Sequence, residues 1–231
     1  IVLQLSVMCV LLAGMMLSLA APLSVGLLTR GWTALVPVRT AAWVIARSSV
    51  IVRGERLART VTPIMLAIGL LVGLGAITSS IVAMLEQIGH PGLDNASIVS
   101  LLLLIALILI ISVAGGVSVV LMMSRQRESE LALAGIVGAT TRQQVLVPVL
   151  EGVIITVTAT ILAVIMTAIG VAVFVSGLTA LGLPVPVVFP WTAFAIIVGI
   201  SAAVVIASTT LPVLPSLRKP ARQVVAQLAA E

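Results

Sequence analysis

Five long apolar runs dominate this chain, separated by short segments that carry almost all of its charged residues. A helix needs about 20 predominantly apolar residues to cross a bilayer, and lipid offers unpaired backbone groups no hydrogen-bond partners. Helices are therefore expected in preference to open strands. The predicted spans are residues 2–28, 63–85, 98–123, 145–175 and 191–214. The pattern predicts an all-α, polytopic transmembrane helical bundle.

Basic residues divide the connections between these runs into two kinds. All twelve Lys and Arg residues fall in segments 29–62, 124–144 and 215–231, while connections 84–97 and 176–190 contain none. Basic residues are retained on the cytoplasmic side of a membrane. The alternation therefore predicts that the first span starts outside and that the C-terminus lies inside.

Composition agrees with a protein that faces lipid. The chain is 61% hydrophobic and only 8% charged, whereas a soluble domain has about 25% charged residues. Its net charge of +5 would suit nucleic acid, but the arginines border apolar runs, so anchoring to anionic lipid headgroups is predicted instead. Trp32, Trp43 and Trp191 lie near span ends and are predicted to be interface anchors.

Two prolines bear on where helices begin. Pro63 is predicted to occupy an early helical position, where its missing N–H costs little. The preceding connection, 29–62, is then expected to lie along the inner membrane face. Pro148 leaves two alternatives, because the fourth helix either bends there or begins there as a tilted span.

The segment 124–144 has the most informative pattern. Its charges come first, and Leu131, Leu133 and Ile136 then give a short apolar helix. Gly138 is placed to end that helix, because glycine adopts the left-handed C′ conformation cheaply.

Thr140 and Thr141 follow this helix, each with a glutamine three residues later, the pattern of a capping box that opens the next helix. A helix, a sharp turn and a second helix are therefore predicted at the cytoplasmic face. Two interpretations stay open: an ordinary loop whose charges mark the membrane boundary, or a helix that fills a groove on a soluble partner.

No catalytic, metal or cofactor-binding residue is predicted. The chain has one His, one Cys and no P-loop motif, so it lacks the residues for nucleotide binding of that kind. Glu86 and Glu151 lie near span ends and are expected to reach headgroups, and the absence of mid-depth charges argues against a self-powered carrier. Gly69 and Gly73 form a GxxxG pattern suited to helix packing.

The stretch from Glu130 to Gln143, followed by Glu151, resembles the cytoplasmic motif of FtsX-like (MacB-type) ABC transporter permeases. Residues 53–70 are similar to the start of the first helix in that family's four-helix unit, and the resemblance runs from about residue 41 to the tail. It implies a linking transmembrane helix (1–28), a cytoplasmic or interfacial connection (29–62) and a permease unit (63–231) with a tail from residue 215. The chain starts at Ile1 and is expected to continue a longer polypeptide.

The resemblance also implies partners. A separate cytosolic ABC ATPase would carry ATP and Mg, and this chain would bind no cofactor. A second permease unit and the lipid bilayer are the other expected partners, with no nucleic acid. The ATPase would dock on the coupling segment, residues 124–144, and the residues expected to carry docking are Glu128, Glu130, Leu131, Leu133, Ile136, Gly138, Ala139, Thr140 and Arg142.

The expected function is that of a multi-pass permease subunit in a bacterial cytoplasmic membrane, itself not an enzyme. It would couple ATP hydrolysis to export, extraction or signalling at the outer face. The alternatives are a mechanotransmitting regulator that moves no substrate, and a carrier or channel that needs no ATPase.

Overall fold

The computed structural model describes residues 2–37, 40–52, 54–87, 140–182 and 186–211, with positions 110, 114, 115 and 118. This part of the chain is helical and contains no strand. Its long helices are α1 (Val2–Leu35), α2 (Ala41–Val52), α3 (Gly54–Gln87), α4 (Thr141–Thr179) and α5 (Trp191–Thr210).

Four of these helices are long and apolar enough to cross a membrane, namely α1, α3, α4 and α5, while α2 is a shorter apolar helix. The prediction of an all-α polytopic bundle is confirmed. The predicted span 98–123 falls almost wholly outside the described residues.

Helix α3 begins earlier than the sequence pattern predicts. It starts at Gly54 and contains Pro63 in its interior, so the expectation that Pro63 occupies an early helical position is wrong. Interior proline is tolerated in membrane helices because nearby hydroxyl groups and neighbouring helices satisfy displaced backbone groups. The Thr62 hydroxyl, next to the proline, donates to the carbonyl of Ala58 at 2.7 Å.

Helices α1 and α4 also differ from their predicted bounds. Helix α1 continues to Leu35, so Arg30 lies in its last turns with its side chain exposed. Helix α4 is one continuous helix with Pro148 inside it. Of the two alternatives for Pro148, a helix that begins there is excluded.

Helix α2 packs into the bundle through its buried face, which consists of Ala42, Trp43, Ala46 and Val50. Trp43 is only 7% exposed, and its ring meets that of the half-buried Trp32 edge-to-face at 6.3 Å. These two tryptophans therefore meet in a helix–helix contact. The prediction that Trp43 is an interface anchor is wrong, because its side chain is buried, whereas the prediction for the half-buried Trp32 stays a prediction.

Close contacts define how the long helices run. A methyl group added at Gly14 of α1 would lie 2.9 Å from Cε of Met166 in α4, and Thr29 of α1 meets Thr158 of α4. Later residues of α1 thus meet earlier residues of α4, which makes the two helices antiparallel. Helix α3 is the most enclosed span, with 61% of its most apolar stretch buried against 17% for α1 and for α5.

The arginines whose side chains the structure describes share one end of the bundle. They lie near the end of α1, in α2, near the start of α3 and at the start of α4, and they are Arg30, Arg47, Arg59 and Arg142. We call this the inner end, following the prediction that basic residues face the cytoplasm. The opposite, outer end contains the α4–α5 connection.

Candidate functional site

The start of α4 is built as the sequence predicts. Thr140 is the N-cap residue, and its side-chain oxygen accepts a hydrogen bond from the Gln143 backbone N–H at 3.3 Å. In return the Gln143 side-chain oxygen accepts the Thr140 backbone N–H at 3.0 Å. This reciprocal capping box satisfies two donors that a helix N-terminus otherwise leaves unpaired. The predicted capping box is confirmed for Thr140, and it fixes the point where the coupling segment becomes α4.

Two of the predicted docking residues are in the described part of the chain, namely Thr140 and Arg142, and both side chains are exposed at the inner end. The other predicted docking residues fall outside the described residues and stay predictions: Glu128, Glu130, Leu131, Leu133, Ile136, Gly138 and Ala139. Exposure of Thr140 and Arg142 leaves the α4 start accessible to a soluble partner.

Replacing Thr140 with Ala is expected to weaken the start of α4 by about 1 kcal/mol, because the capping side chain is lost. Amide hydrogen exchange should accelerate in the first turn of α4 and remain unchanged in α5. Thr141→Ala is the matched control, since the cap uses Thr140 and not its neighbour. Equal acceleration in both variants would contradict the assigned cap.

Glu151 is buried at the inner end, contrary to the expectation that it reaches headgroups. Its side chain is 8% exposed, and its Oε1 accepts a hydrogen bond from the Ser49 hydroxyl of α2 at 2.7 Å. A buried carboxylate needs such donors because desolvation of a charge is costly. Hydropathy places Glu151 near a span end but does not show that α2 covers it.

Thr158 connects α4 to α1. Its hydroxyl oxygen accepts a hydrogen bond from Nε1 of Trp32 at 3.0 Å, and it lies 3.3 Å from the hydroxyl of Thr29. Thr158 also donates to the carbonyl of Ile154 in its own helix at 2.7 Å. Thr29 and Thr158 are both almost completely buried. The sequence pattern does not indicate that Thr158 meets Thr29 and Trp32.

Helix α2 reaches α1 through a further hydrogen bond. Nε of Arg47 donates to the hydroxyl of Thr33 at 3.1 Å, and Thr33 is 1% exposed. Together with the contacts above, this bond joins α1, α2 and α4 by polar side chains at the inner end. We call this set the inner polar seam; its members are Thr29, Trp32, Thr33, Arg47, Ser49, Glu151 and Thr158.

Replacing Thr158 with Val is expected to destabilise the bundle by about 1 kcal/mol. The change keeps the side-chain shape but removes the acceptor of Trp32, and interhelical hydrogen bonds in membranes are worth about 0.6 kcal/mol on average. Thermal unfolding in detergent micelles measures the loss. Thr160→Val is the control, because the Thr160 hydroxyl donates to a carbonyl of its own helix. An equal loss from Thr160→Val would contradict the role of Thr158.

Glycines allow α4 to approach two neighbouring helices closely. A methyl group added at Gly69 of α3 would lie 2.8 Å from Sδ of Met166 and 3.5 Å from Cα of Ala163, both in α4. At Gly152 of α4 it would lie 3.2 Å from Cα of Ile206 in α5. The predicted packing role of Gly69 thus corresponds to a contact within the chain, and Gly73 is buried on the same helix. The sequence does not mark Gly152 as a packing residue, because no second glycine lies one helical turn away from it.

The outer end holds an aromatic cluster. The ring of Phe189 lies 4.6 Å from that of Trp191 and 5.6 Å from that of Phe194. The backbone N–H of Val188 donates to the hydroxyl of Ser80 in α3 at 3.2 Å, which holds the α4–α5 connection against that helix. Trp191 is 72% exposed, as an interface anchor would be.

A family model described as FtsX-like permease C-terminal matches residues 102–221, just over half of the chain. The chain belongs to the FtsX-like permease family. Searches of curated proteins and of solved structures find no match. Family membership and the apolar helices support a multi-pass membrane permease of an ABC-type system, and this family associates in general with an ABC ATPase.

The match covers the coupling segment, α4 and α5, whereas α1, α2 and α3 precede it. The similarity of residues 53–70 to the family's first helix therefore stays a prediction, as does the MacB-type assignment. A permease family points to a transport component rather than a catalytic enzyme. Among the residues that the structure describes, no group of His, Cys, Asp or Glu is arranged to hold a metal ion.

Proposed function

We propose that this chain is the membrane subunit of a MacB-type transporter in the cytoplasmic membrane, driven by a separate cytosolic ATPase that binds ATP and Mg. The ATPase docks on the coupling segment, and its closure pushes the start of α4. The motion of α4 then exports or extracts a substrate at the outer face, or signals to a partner there.

The continuity of α4 is the observation that supports this proposal best. The helix has 39 residues, which corresponds to roughly 58 Å at about 1.5 Å per residue, against a hydrocarbon core of about 30 Å. It begins at the capped junction with the coupling segment and ends at the α4–α5 connection. A single rod of this length can transmit a displacement from the inner end to the outer end.

The hydroxyl groups of α4 favour mechanical transmission over a polar path along this helix. Thr156 and Thr160 donate to carbonyls of their own helix at 3.0 Å and 2.8 Å, and Thr158 is occupied by the inner polar seam. Bonded hydroxyls of this kind offer a polar substrate few contacts. The mechanotransmitting regulator is therefore the second candidate, and it uses the same ATPase and the same motion of α4.

The test searches the neighbouring reading frames for a P-loop ATPase and reconstitutes that ATPase with the full protein in vesicles. Stable co-purification and ATP hydrolysis that depends on the permease support the proposal. Transport measured alongside hydrolysis then separates a transporter from a regulator, since the regulator hydrolyses ATP without moving substrate. Absence of any ATPase on the purified chain, with activity retained, would favour the independent carrier or channel and contradict the proposal.

A further inference from the structure

We propose that α1, α2 and α4 form one rigid unit, so that α1 and α2, which lie outside the family-matched region, move with α4. The inference extends the proposed function, on which it rests for the force that moves α4. It assigns a mechanical role to α1 and α2, which precede the matched residues 102–221. Helix α1, which contains the predicted linking helix, would then help to transmit force instead of only connecting two units.

Helix α1 is held to α4 at two separate levels. Near the inner end, Trp32 and Thr29 meet Thr158 at 3.0 Å and 3.3 Å. Further toward the outer end, Gly14 lets α1 approach Met166 so closely that an added methyl group would lie 2.9 Å from its Cε. Two contacts at different levels oppose tilting of one helix against the other, whereas one contact would act as a pivot.

Helix α2 adds bonds to both partners. Arg47 donates to Thr33 of α1 at 3.1 Å, and Ser49 donates to Glu151 of α4 at 2.7 Å. Because Thr33 and Glu151 are buried, sliding either helix would separate polar groups that have little access to replacement water. Leaving such groups unpaired costs more than making a hydrogen bond gains. The inner polar seam therefore resists relative motion of α1, α2 and α4.

The α4–α5 contact is different in kind. Gly152 lies against Ile206 by close van der Waals approach, and the hydroxyl groups of Ser208 and Thr210 donate to carbonyls of their own helix. Sliding at this contact separates none of these hydrogen bonds. We therefore assign the moving boundary to α5, with α1 and α2 carried by α4.

A disulfide between α1 and α4 tests the rigid unit. Cys9 is the only cysteine, so Cys9→Ser gives a background in which Thr29→Cys and Thr158→Cys introduce the sole pair. The two hydroxyl oxygens, whose places the sulfur atoms would take, lie 3.3 Å apart, and a small adjustment of the side chains brings the sulfurs to the disulfide bond length of about 2.0 Å. Leu27→Cys with Thr158→Cys is the matched control, because Leu27 is an exposed residue of the same helix.

The Thr29–Thr158 pair should oxidise almost completely, both in the protein alone and in the ATPase complex trapped with nucleotide and vanadate. The oxidised complex should keep its ATP hydrolysis and outer-face activity within about twofold of the reduced complex. A low yield in the protein alone, a lower yield in the trapped complex, or activity lost on oxidation and restored by reductant would each overturn the rigid unit.

A second pair of introduced cysteines keeps the proposal testable if the Thr158→Cys protein does not fold. Ser49→Cys with Glu151→Cys, joined by a short bifunctional thiol reagent, links α2 to α4 and should leave activity unchanged in the same way. Loss of activity on this link, reversed by cleaving it, would again overturn the proposal. Failure of the ATPase to bind or hydrolyse ATP would count against the proposed function alone, and cross-linking yields in the isolated protein would still decide whether the unit exists.

Discussion

Replacing both Leu133 and Ile136 with Asp is expected to abolish co-purification of the ATPase while leaving the chain inserted in the membrane. These residues give the coupling segment its predicted apolar face. A groove on the ATPase that accepts this face would have to bury two unpaired carboxylates, which costs several kcal/mol. It would also lose apolar contacts worth about 1.5–3 kcal/mol for each side chain. Affinity should fall by at least about a hundredfold.

Gly135→Asp supplies the matched control for this double variant. In a helix with about 3.6 residues per turn, position 135 is rotated by about 160° from Leu133 and by about 100° from Ile136, away from the face that these two residues share. Gly135→Asp introduces one negative charge, against two in the double variant, without removing an apolar anchor, so ATPase binding should persist. Pull-down from solubilised membranes and membrane flotation measure binding and insertion separately. ATPase binding unchanged by the double variant would remove the coupling segment as the docking site.

The docking prediction also requires that the coupling segment lie on the cytoplasmic side of the membrane. Arg127→Cys in the Cys9→Ser background should react with an impermeant maleimide only after the cytoplasmic face is opened. The ATPase is soluble and cytosolic in this account, so its docking segment must lie on that face. Labelling of the Arg127→Cys protein from outside intact cells would place the coupling segment on the outer face, where a cytosolic ATPase cannot bind it.

Hydropathy predicts which described segments form spanning helices, because crossing a bilayer requires about 20 apolar residues, but it does not predict where each helix begins and ends. Four helices in the described part of the chain reach spanning length, and the capping pattern identifies the start of α4 at Thr140. Both signals are local in sequence, since a span depends on about 20 consecutive residues and the cap on a single helical turn. Local signals therefore give the element types and the junction between the coupling segment and α4.

The residues that meet between helices could not be predicted in the same way. Apolar residues facing lipid and apolar residues facing another helix look alike, because lipid tails are as apolar as a protein core. Trp43 and Glu151 illustrate the consequence: both lie near span ends in sequence, and both are buried beneath neighbouring helices. The inner polar seam joins residues more than a hundred positions apart, such as Ser49 and Glu151 at a separation of 102. A single sequence offers no signal that these residues meet.

Gly152 and Gly69 give opposite outcomes for the same kind of substitution, even though only Gly69 belongs to a sequence motif. Gly69→Ala should be close to neutral. The added methyl group meets Sδ of Met166 at 2.8 Å, and an unbranched methionine can move away. Removing a helical glycine also stabilises by about 0.5–1 kcal/mol.

Gly152→Ala should instead destabilise the bundle, and Gly152→Leu should prevent its correct assembly. At this position the added methyl group would lie 3.0 Å from the hydroxyl of Thr209 and 3.2 Å from Cα of Ile206. The backbone of α5 has no rotamer to change, so the helix itself must shift. Overpacking of this kind costs about 1–3 kcal/mol for a small group and more for a large one. Thermal unfolding and size-exclusion profiles in detergent measure both effects, and a Gly152→Leu protein as stable as the parent would show that α5 does not pack against α4 at Gly152.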